Sequence, residues 1–356
     1  MEKLLITLGC CYLLQAGSAQ STSPGAEPAL SINVQEGIEL LSVIQYLGCQ
    51  LGNSTPSPYK QELKKYFLPY RTHAAVTTMF MFDKTIYPDL TEMGLLFYNF
   101  PDIRMRSMPD NSSWYKHFPK QVLENYFRQC MQFYKDSRFH KFYTSHQQQY
   151  TLWGNALQTK METPVKIFSQ VFTSRKPLHW QVYLDPLNDW GAHTIVPQKL
   201  EPGKENYVVY QVGYFGDKDS ADNMVFKMNV YDFTWHEGAH AITDAILKQY
   251  RTQIDSLSFL LKDDAALKKQ NINDWARYFD ELVARSVSIA LHKEYCSNAD
   301  YEKLLQFETG RGFIHAKDVS DLIYTQFIHE KKVNSFEEVF PLIFTMLHTR
   351  YSQHNP

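Results

Sequence analysis

Apolar residues recur every three to four positions through most of this chain, and only the stretch from 179 to 214 breaks into alternation. Ile38, Leu41 and Ile44, with Leu40, Val43 and Leu47 beside them, predict a helix over 34–47 that ends at the GNSTP run of 52–56. The same spacing predicts helices over 59–67, 73–82, 87–97, 114–133, 136–157 and 163–172, with a loop over 104–115. Residues 179–184 (HWQVYL) alternate and predict a strand; 192–196 predict a second, and 207–214 (YVVYQVGY) the strongest of the three. Turn-rich segments at 185–191 and 201–206 separate them. Helical spacing returns at 230–246, 252–267, 273–296, 318–327 and 335–351, with a looser segment near 309–313. The predicted class is α+β and predominantly α-helical. A helical N-terminal region (34–175) precedes a small, mostly antiparallel sheet and a helical core within 176–356, and the two regions can form one compact unit.

The first residues follow a different logic. Lys3 precedes a short apolar run over 4–14, and Ala16-Gly17-Ser18-Ala19 supplies small residues. This is the pattern of a cleavable signal peptide over 1–19, leaving Gln20 first and predicting a secreted or periplasmic protein. Lipidation at Cys10 or Cys11 fits less well, because too little apolar chain precedes either cysteine. Residues 20–33, with Pro24, Gly25 and Pro28, predict a flexible leader. No stretch is long and apolar enough to predict a transmembrane helix.

Composition narrows the classes. Hydrophobic residues make up 44% of the 356 and aromatics 15%, enough for a large aromatic core. The formal net charge of -2 argues against a nucleic-acid-binding surface. Cleavage after Ala19 leaves Cys49, Cys130 and Cys296, which is no disulfide scaffold and offers no Cys-x-x-Cys pair for a metal.

The candidate chemistry sits in the helix over 230–246. His236-Glu237-Gly238-Ala239-His240 fits H-E-x-x-H, which arises by chance in a chain this long with odds of roughly 1%. Histidines four apart share one helix face and can grip one zinc ion, while the glutamate between them serves as general base towards the water that zinc activates. At about 100° per residue, Trp235, Ala239, Ile242 and Ile246 form an apolar stripe, and His236 and His240 lie well away from it.

A zinc site of this kind needs a third protein ligand. On the helix over 273–296, Glu281, Arg285, Ser288 and His292 fall on one narrow line in an otherwise apolar segment. A buried helix with one polar seam needs a reason for that seam, and coordination by Glu281 supplies one. An ordinary i,i+4 ion pair between Glu281 and Arg285 is the plainer alternative. Asp280 and Glu294 are weaker candidates. Asp244 is a candidate for orienting a ligand histidine, or else an ordinary exposed acid. Arg285 can hold Glu281 or fix a substrate carboxylate. His315 is a candidate for stabilising a developing oxyanion, against the default of a loop histidine.

At these residues the chain resembles the gluzincin clan of zinc metallopeptidases, which pair HExxH with a glutamate on a later helix. The run His236 to Asp244 is similar to the active helix of thermolysin-like enzymes. It departs from them in the third ligand, because Glu281 lies 41 residues after His240 and is followed by Arg285. The chain is more similar to a family of exported, mostly bacterial proteins of unestablished function, predicted to be peptidases. The shared features are 37–44 (GIELLSVI), 184–187 (LDPL), the HExxH helix, 281–285 (ELVAR), Gly312-Phe313 and the closing segment over 336–351 with Pro341. The resemblance implies a zinc site and no particular substrate. Together these readings predict an exported zinc metallopeptidase acting on a peptide or protein, with His236, His240 and Glu281 as ligands and Glu237 as general base. The alternatives are a zinc amidase on non-peptide or cell-wall material, and a helical binding protein with a structural metal. The oligomeric state is not predicted.

Overall fold

The computed structural model describes residues 29–50, 57–82, 87–107, 118–172, 178–189, 191–195, 207–213, 229–262 and 264–351. Residues 1–19, expected to be a signal peptide, and the first part of the expected leader lie outside them.

In chain order the elements are β1 (Ala29–Asn33), α1 (Glu36–Gln45), α2 (Pro58–Phe67), α3 (Ala74–Thr78), α4 (Tyr87–Glu92), β2 (Phe97–Tyr98), β3 (Arg104–Met105), α5 (Lys120–Asp136), α6 (Phe139–Ser145) and α7 (Gln147–Phe172). Then come β4 (His179–Asp185), β5 (Ala192–Ile195), β6 (Tyr207–Gly213), α8 (Val230–Gln249), α9 (Arg251–Ser256), α10 (Ala265–Lys268), α11 (Trp275–Tyr295), α12 (Asn298–Gly310), α13 (Ala316–Ile323) and α14 (Val339–Tyr351). The class is α+β and predominantly helical, in line with the hydrophobic spacing.

Four differences from the sequence expectation bear on the site. Residues 29–33, placed by composition in a flexible leader, form β1, whose register puts Leu30 beside Trp180 and Ile32 beside Val182. The sheet, in the order β1-β4-β6-β5, is not mostly antiparallel: β1 pairs parallel with β4, β4 pairs parallel with β6, and only β5 runs against β6. The strands follow one another in sequence, but β5 takes the outer edge and β6 lies between it and β4. The spacing over 252–267 breaks into α9, a 3-10 turn and α10. Finally, α12 stands where only a loose segment was expected; Ser297 caps it, accepting the Asp300 N–H at 3.2 Å.

One hydrophobic core runs through both halves of the chain, from Leu40, Phe127 and Phe168 to Val287 and Ile343. α7 and α8 pack on each other, with α7 also against β1 and α8 against β5 and β6. Their approach depends on Gly238, where a Cβ would sit 2.9 Å from both Phe168 of α7 and Trp180 of β4. α11 packs on the other side of α8 and is itself backed by α13. Thus α8 lies between the sheet and α11, held on both flanks. On the far side of the core α1 carries its own acids inward. Ser42 donates to Asp185 at the end of β4 (2.6 Å), and Tyr59 donates to the fully buried Glu39. Among the described residues, no helix is long and apolar enough to cross a membrane.

Candidate metal centre

α8 begins where Asn229 accepts the Tyr231 N–H (3.0 Å), and it carries Asp232 in its first turn, where a negative charge suits the helix dipole. Trp235 anchors one face: its ring is fully buried and its Nε1–H donates to the Pro164 carbonyl of α7 at 2.9 Å. Ala239 is buried on the same side. The adjoining face, about 100° round the helix, turns His236 and His240 towards Asp280 and Glu281 of α11.

α11 starts at Asp274, which accepts the Arg277 N–H at 2.9 Å. It is buried from Leu282 to His292, and its polar seam faces α8 and the cleft rather than bulk water on an outer surface. The seam meets the histidines of α8. The Nε2 atoms of His236 and His240 are 3.1 Å apart, and the Glu281 carboxylate lies 3.6 Å from the first and 4.0 Å from the second. His236, His240 and Glu281 therefore form a group that can hold a metal ion. Donors about 2.0–2.1 Å from a tetrahedral ion are about 3.3–3.4 Å apart; the histidine nitrogens are slightly closer than that, and Glu281 approaches one with Oε2 and the other with Oε1 at slightly more.

The other nitrogen of His240 supports the same use. Its Nδ1 lies 3.0 Å from Asp280 Oδ1. An ionised carboxylate only accepts, so Nδ1 carries the hydrogen and the Nε2 lone pair is directed at the group.

Electrostatics separates the members. Burial alone would raise the Glu281 carboxyl, but Arg285, His236 and His240 outweigh it and hold it well below the usual range. Burial, with His240 and Arg285 beside it, pushes His236 well below its ordinary value, so that ring is neutral. Burial would also lower His240, yet Asp280, Glu281 and Glu237 lift it to about 10; a metal must displace that proton on binding. Glu237 is 3% exposed, and burial raises it to about 7 against the opposing pull of His240 and Thr194. The Thr194 hydroxyl of β5 lies 2.8 Å from Glu237 Oε2. A carboxyl poised near neutrality can both take and return a proton.

His236, Glu237 and Arg285 line a cleft of about 910 Å³, together with His292, residues of α12 that include Phe307, and Arg311 just after that helix. Arg285 is committed within its wall. It donates to Glu281 Oε2 (2.6 Å) and Glu308 Oε2 (2.7 Å), and its guanidinium lies 4.4 Å from the centre of the Phe313 ring. Of the two roles open to it, this geometry is that of holding Glu281.

Two site residues expected from sequence lie elsewhere. Asp244 pairs with Lys248 at 2.6 Å on the outer side of α8, and the carboxylate that meets a ligand histidine is Asp280. His315 precedes α13 and is buried, with its ring 4.5 Å from that of Tyr351; it is not among the residues lining the cleft. Its ring lies among those of Tyr278 and Tyr351 rather than beside His236 and His240. His292 shares the seam with Glu281, but its Nδ1 lies 2.9 Å from the Ser288 carbonyl. Sequence reasoning missed Thr194, Glu308 and Arg311, and weighed Asp280 only as a ligand. A carboxylate next to a suspected ligand was a usable signal for Asp280; the others depend on which elements meet in space.

A helical α+β protein with a His-His-Glu group beside a buried glutamate is the class that fold and site define. Residues 116–346 match the family described as Domain of unknown function (DUF4932), more than half of the chain, and the chain belongs to that family. No curated protein and no solved structure matches it.

Proposed function

We propose that this protein is an exported zinc metallopeptidase. The observation that carries the reading is Glu237, buried and poised near neutrality beside the group of His236, His240 and Glu281, with Glu237 and His236 on the wall of a cleft. A structural metal site has no use for such a base. Two imidazoles and one carboxylate suit zinc by donor type. Export rests on the pattern of residues 1–19 alone.

His236 and His240 would hold the ion through Nε2, and Glu281 through its carboxylate. A bound zinc ion supplies Lewis acidity, which polarises a carbonyl and brings the pKa of water towards neutrality. Glu237 accepts the proton of the attacking water and then delivers it to the leaving amine. Thr194 fixes the orientation of Glu237, Asp280 that of His240, and Arg285 that of Glu281.

The test compares wild type with Glu237→Gln for zinc content and for cleavage of a peptide mixture. The variant keeps its zinc and loses turnover by roughly 10²–10⁴-fold. Undiminished cleavage would sink the mechanism. Cleavage of non-peptide amides with peptides untouched would redirect the substrate to the amidase class.

A further inference from the structure

The polar seam of α11 explains how Glu281 is held but leaves two other cations on the cleft wall, Lys303, exposed on α12, and Arg311, partly buried beside the seam. Arg311 follows directly on α12 and lines the cleft with His236 and Glu237. It is near enough for its charge to act on His236 and to feel Glu281. Its closest acid is Glu308, whose Oε1 lies 3.5 Å from Arg311 Nη1, well beyond the roughly 2.7–2.9 Å of a strong charge-assisted bond. The other Glu308 oxygen is taken by Arg285 at 2.7 Å, and Arg285 spends its remaining terminal nitrogen on Glu281. Two guanidiniums thus share two carboxylates, and one of those is a candidate metal ligand whose charge a bound cation would claim.

The position of Arg311 is built, while its head group stays accessible. Gly312 sits at φ +97°, and a Cβ there would meet Leu267 Cγ at 2.7 Å, so the turn that follows Arg311 tolerates little else. Gln270 donates to the Arg311 carbonyl at 2.9 Å. The guanidinium lies 5.2 Å from the centre of the Phe307 ring, and the side chain is 33% exposed. The acids elsewhere on the wall are engaged: Asp232 accepts the Ser288 hydroxyl at 2.9 Å, and Asp300 that of Ser297 at 2.7 Å.

We infer that Arg311 determines specificity and that the substrate carries a carboxylate next to the amide that is cut. A planar guanidinium can grip a carboxylate with two parallel hydrogen bonds, which fixes the substrate's position as well as its charge. This inference rests on the metallopeptidase reading for the identity of the bond that is cut. The carboxylate is either the chain end of a peptide or an Asp or Glu side chain.

Calorimetric titration of zinc-loaded Glu237→Gln protein separates these sources, because the peptide binds without being consumed. One arm compares acetyl-tetraalanine as free acid and as amide. The other compares an amidated peptide carrying Glu with its Gln counterpart. The carboxylate form binds at least about tenfold more tightly in one arm, and adding Arg311→Gln brings that ratio to about one with zinc content unchanged, whereas Arg311→Lys keeps part of it. Equal binding of charged and neutral peptides in both arms overturns the proposal. So does a preference that survives Arg311→Gln. Absence of zinc and of turnover in wild type would instead remove the metallopeptidase reading, and the binding ratio would still decide the role of Arg311.

Discussion

Glu281 and Glu39 are both carboxylates inside this protein, one between α11 and α8, the other on α1 against the end of the sheet. Glu281 has Arg285 at 2.6 Å and two histidines within 4.0 Å, and these charges hold its carboxyl well below the usual range despite burial. Glu39 is fully buried, whereas the Glu281 side chain is 20% exposed. The hydrogen-bond partner of Glu39 is the Tyr59 hydroxyl, which itself lies 2.7 Å from that of Tyr150, and the charge that acts on it is the like charge of Asp185. Burial, reinforced by Asp185, lifts Glu39 to about 8. The same side chain is therefore an anion in one place and a neutral acid in the other. Burial raises both carboxyls, and only Glu281 has cations beside it that outweigh the effect. A cationic surround makes a donor that can serve a metal; a hydroxyl surround makes a pin between α1, α2 and α7.

The most severe way to break this contrast is to remove the anionic member. Glu281→Ala deletes one of three donors and should leave less than about a tenth of the wild-type zinc after dialysis, because three protein ligands are the usual minimum for such a site. Metal analysis of the two proteins side by side decides it. Full retention would mean that the carboxylate next door, Asp280, is the ligand.

The neutral member is tested by pH. A folded-state value of about 8, above the ordinary 4.5, means that the folded protein holds a proton here which the unfolded chain has released. The stability it contributes is full below about pH 4.5 and is lost as the pH rises through 8, at up to about 1.4 kcal/mol per pH unit. Glu39→Gln keeps a neutral side chain at every pH, so the difference in urea midpoint between variant and wild type should widen in the variant's favour from pH 5 to pH 8. Parallel profiles would show that Glu39 is ionised in the folded protein.

Asp280→Asn has a smaller effect and sharpens the comparison from within the site. The carboxylate that fixes the His240 tautomer is lost, while every proposed ligand stays. Metal affinity should fall by roughly 10–100-fold, read by competition with a chelator. An unchanged affinity would mean that the 3.0 Å contact does nothing for the ligand.

How much of this was legible differs by element. The ligand face of α8 followed from helix geometry alone, since His236 and His240 are four apart and lie well away from the stripe that Trp235 and Ala239 mark. The seam of α11 was legible because Glu281, Arg285 and Ser288 interrupt an apolar run. Strand sense was not: β1 and β4 are parallel partners separated by seven helices, and nothing in Leu30-Ser31-Ile32 names its neighbour. Thr194, Glu308 and Arg311 escaped for the same reason, as their roles depend on β5 and α12 closing around α8. Glu39 was indistinguishable from any acid in a helix, because its partners Tyr59 and Tyr150 lie 20 and 111 positions away.

Asp244 offers the mildest test, and it isolates what position alone is worth. It follows His240 by one helical turn and Asp280 faces His240 across the helix pair, so sequence distance favours the wrong acid. In the structure Asp244 is 39% exposed in its side chain and pairs with Lys248, itself 70% exposed. Exposed i,i+4 pairs contribute about 0.3–0.5 kcal/mol, because water screens them and two long side chains lose freedom in making them. Asp244→Ala should therefore shift stability by no more than about 0.5 kcal/mol and leave zinc affinity at the wild-type level. Chemical denaturation and chelator competition, run beside Asp280→Asn, provide the comparison. A loss of affinity matching that of Asp280→Asn would mean that the acid on α8, and not the one on α11, supports the metal group.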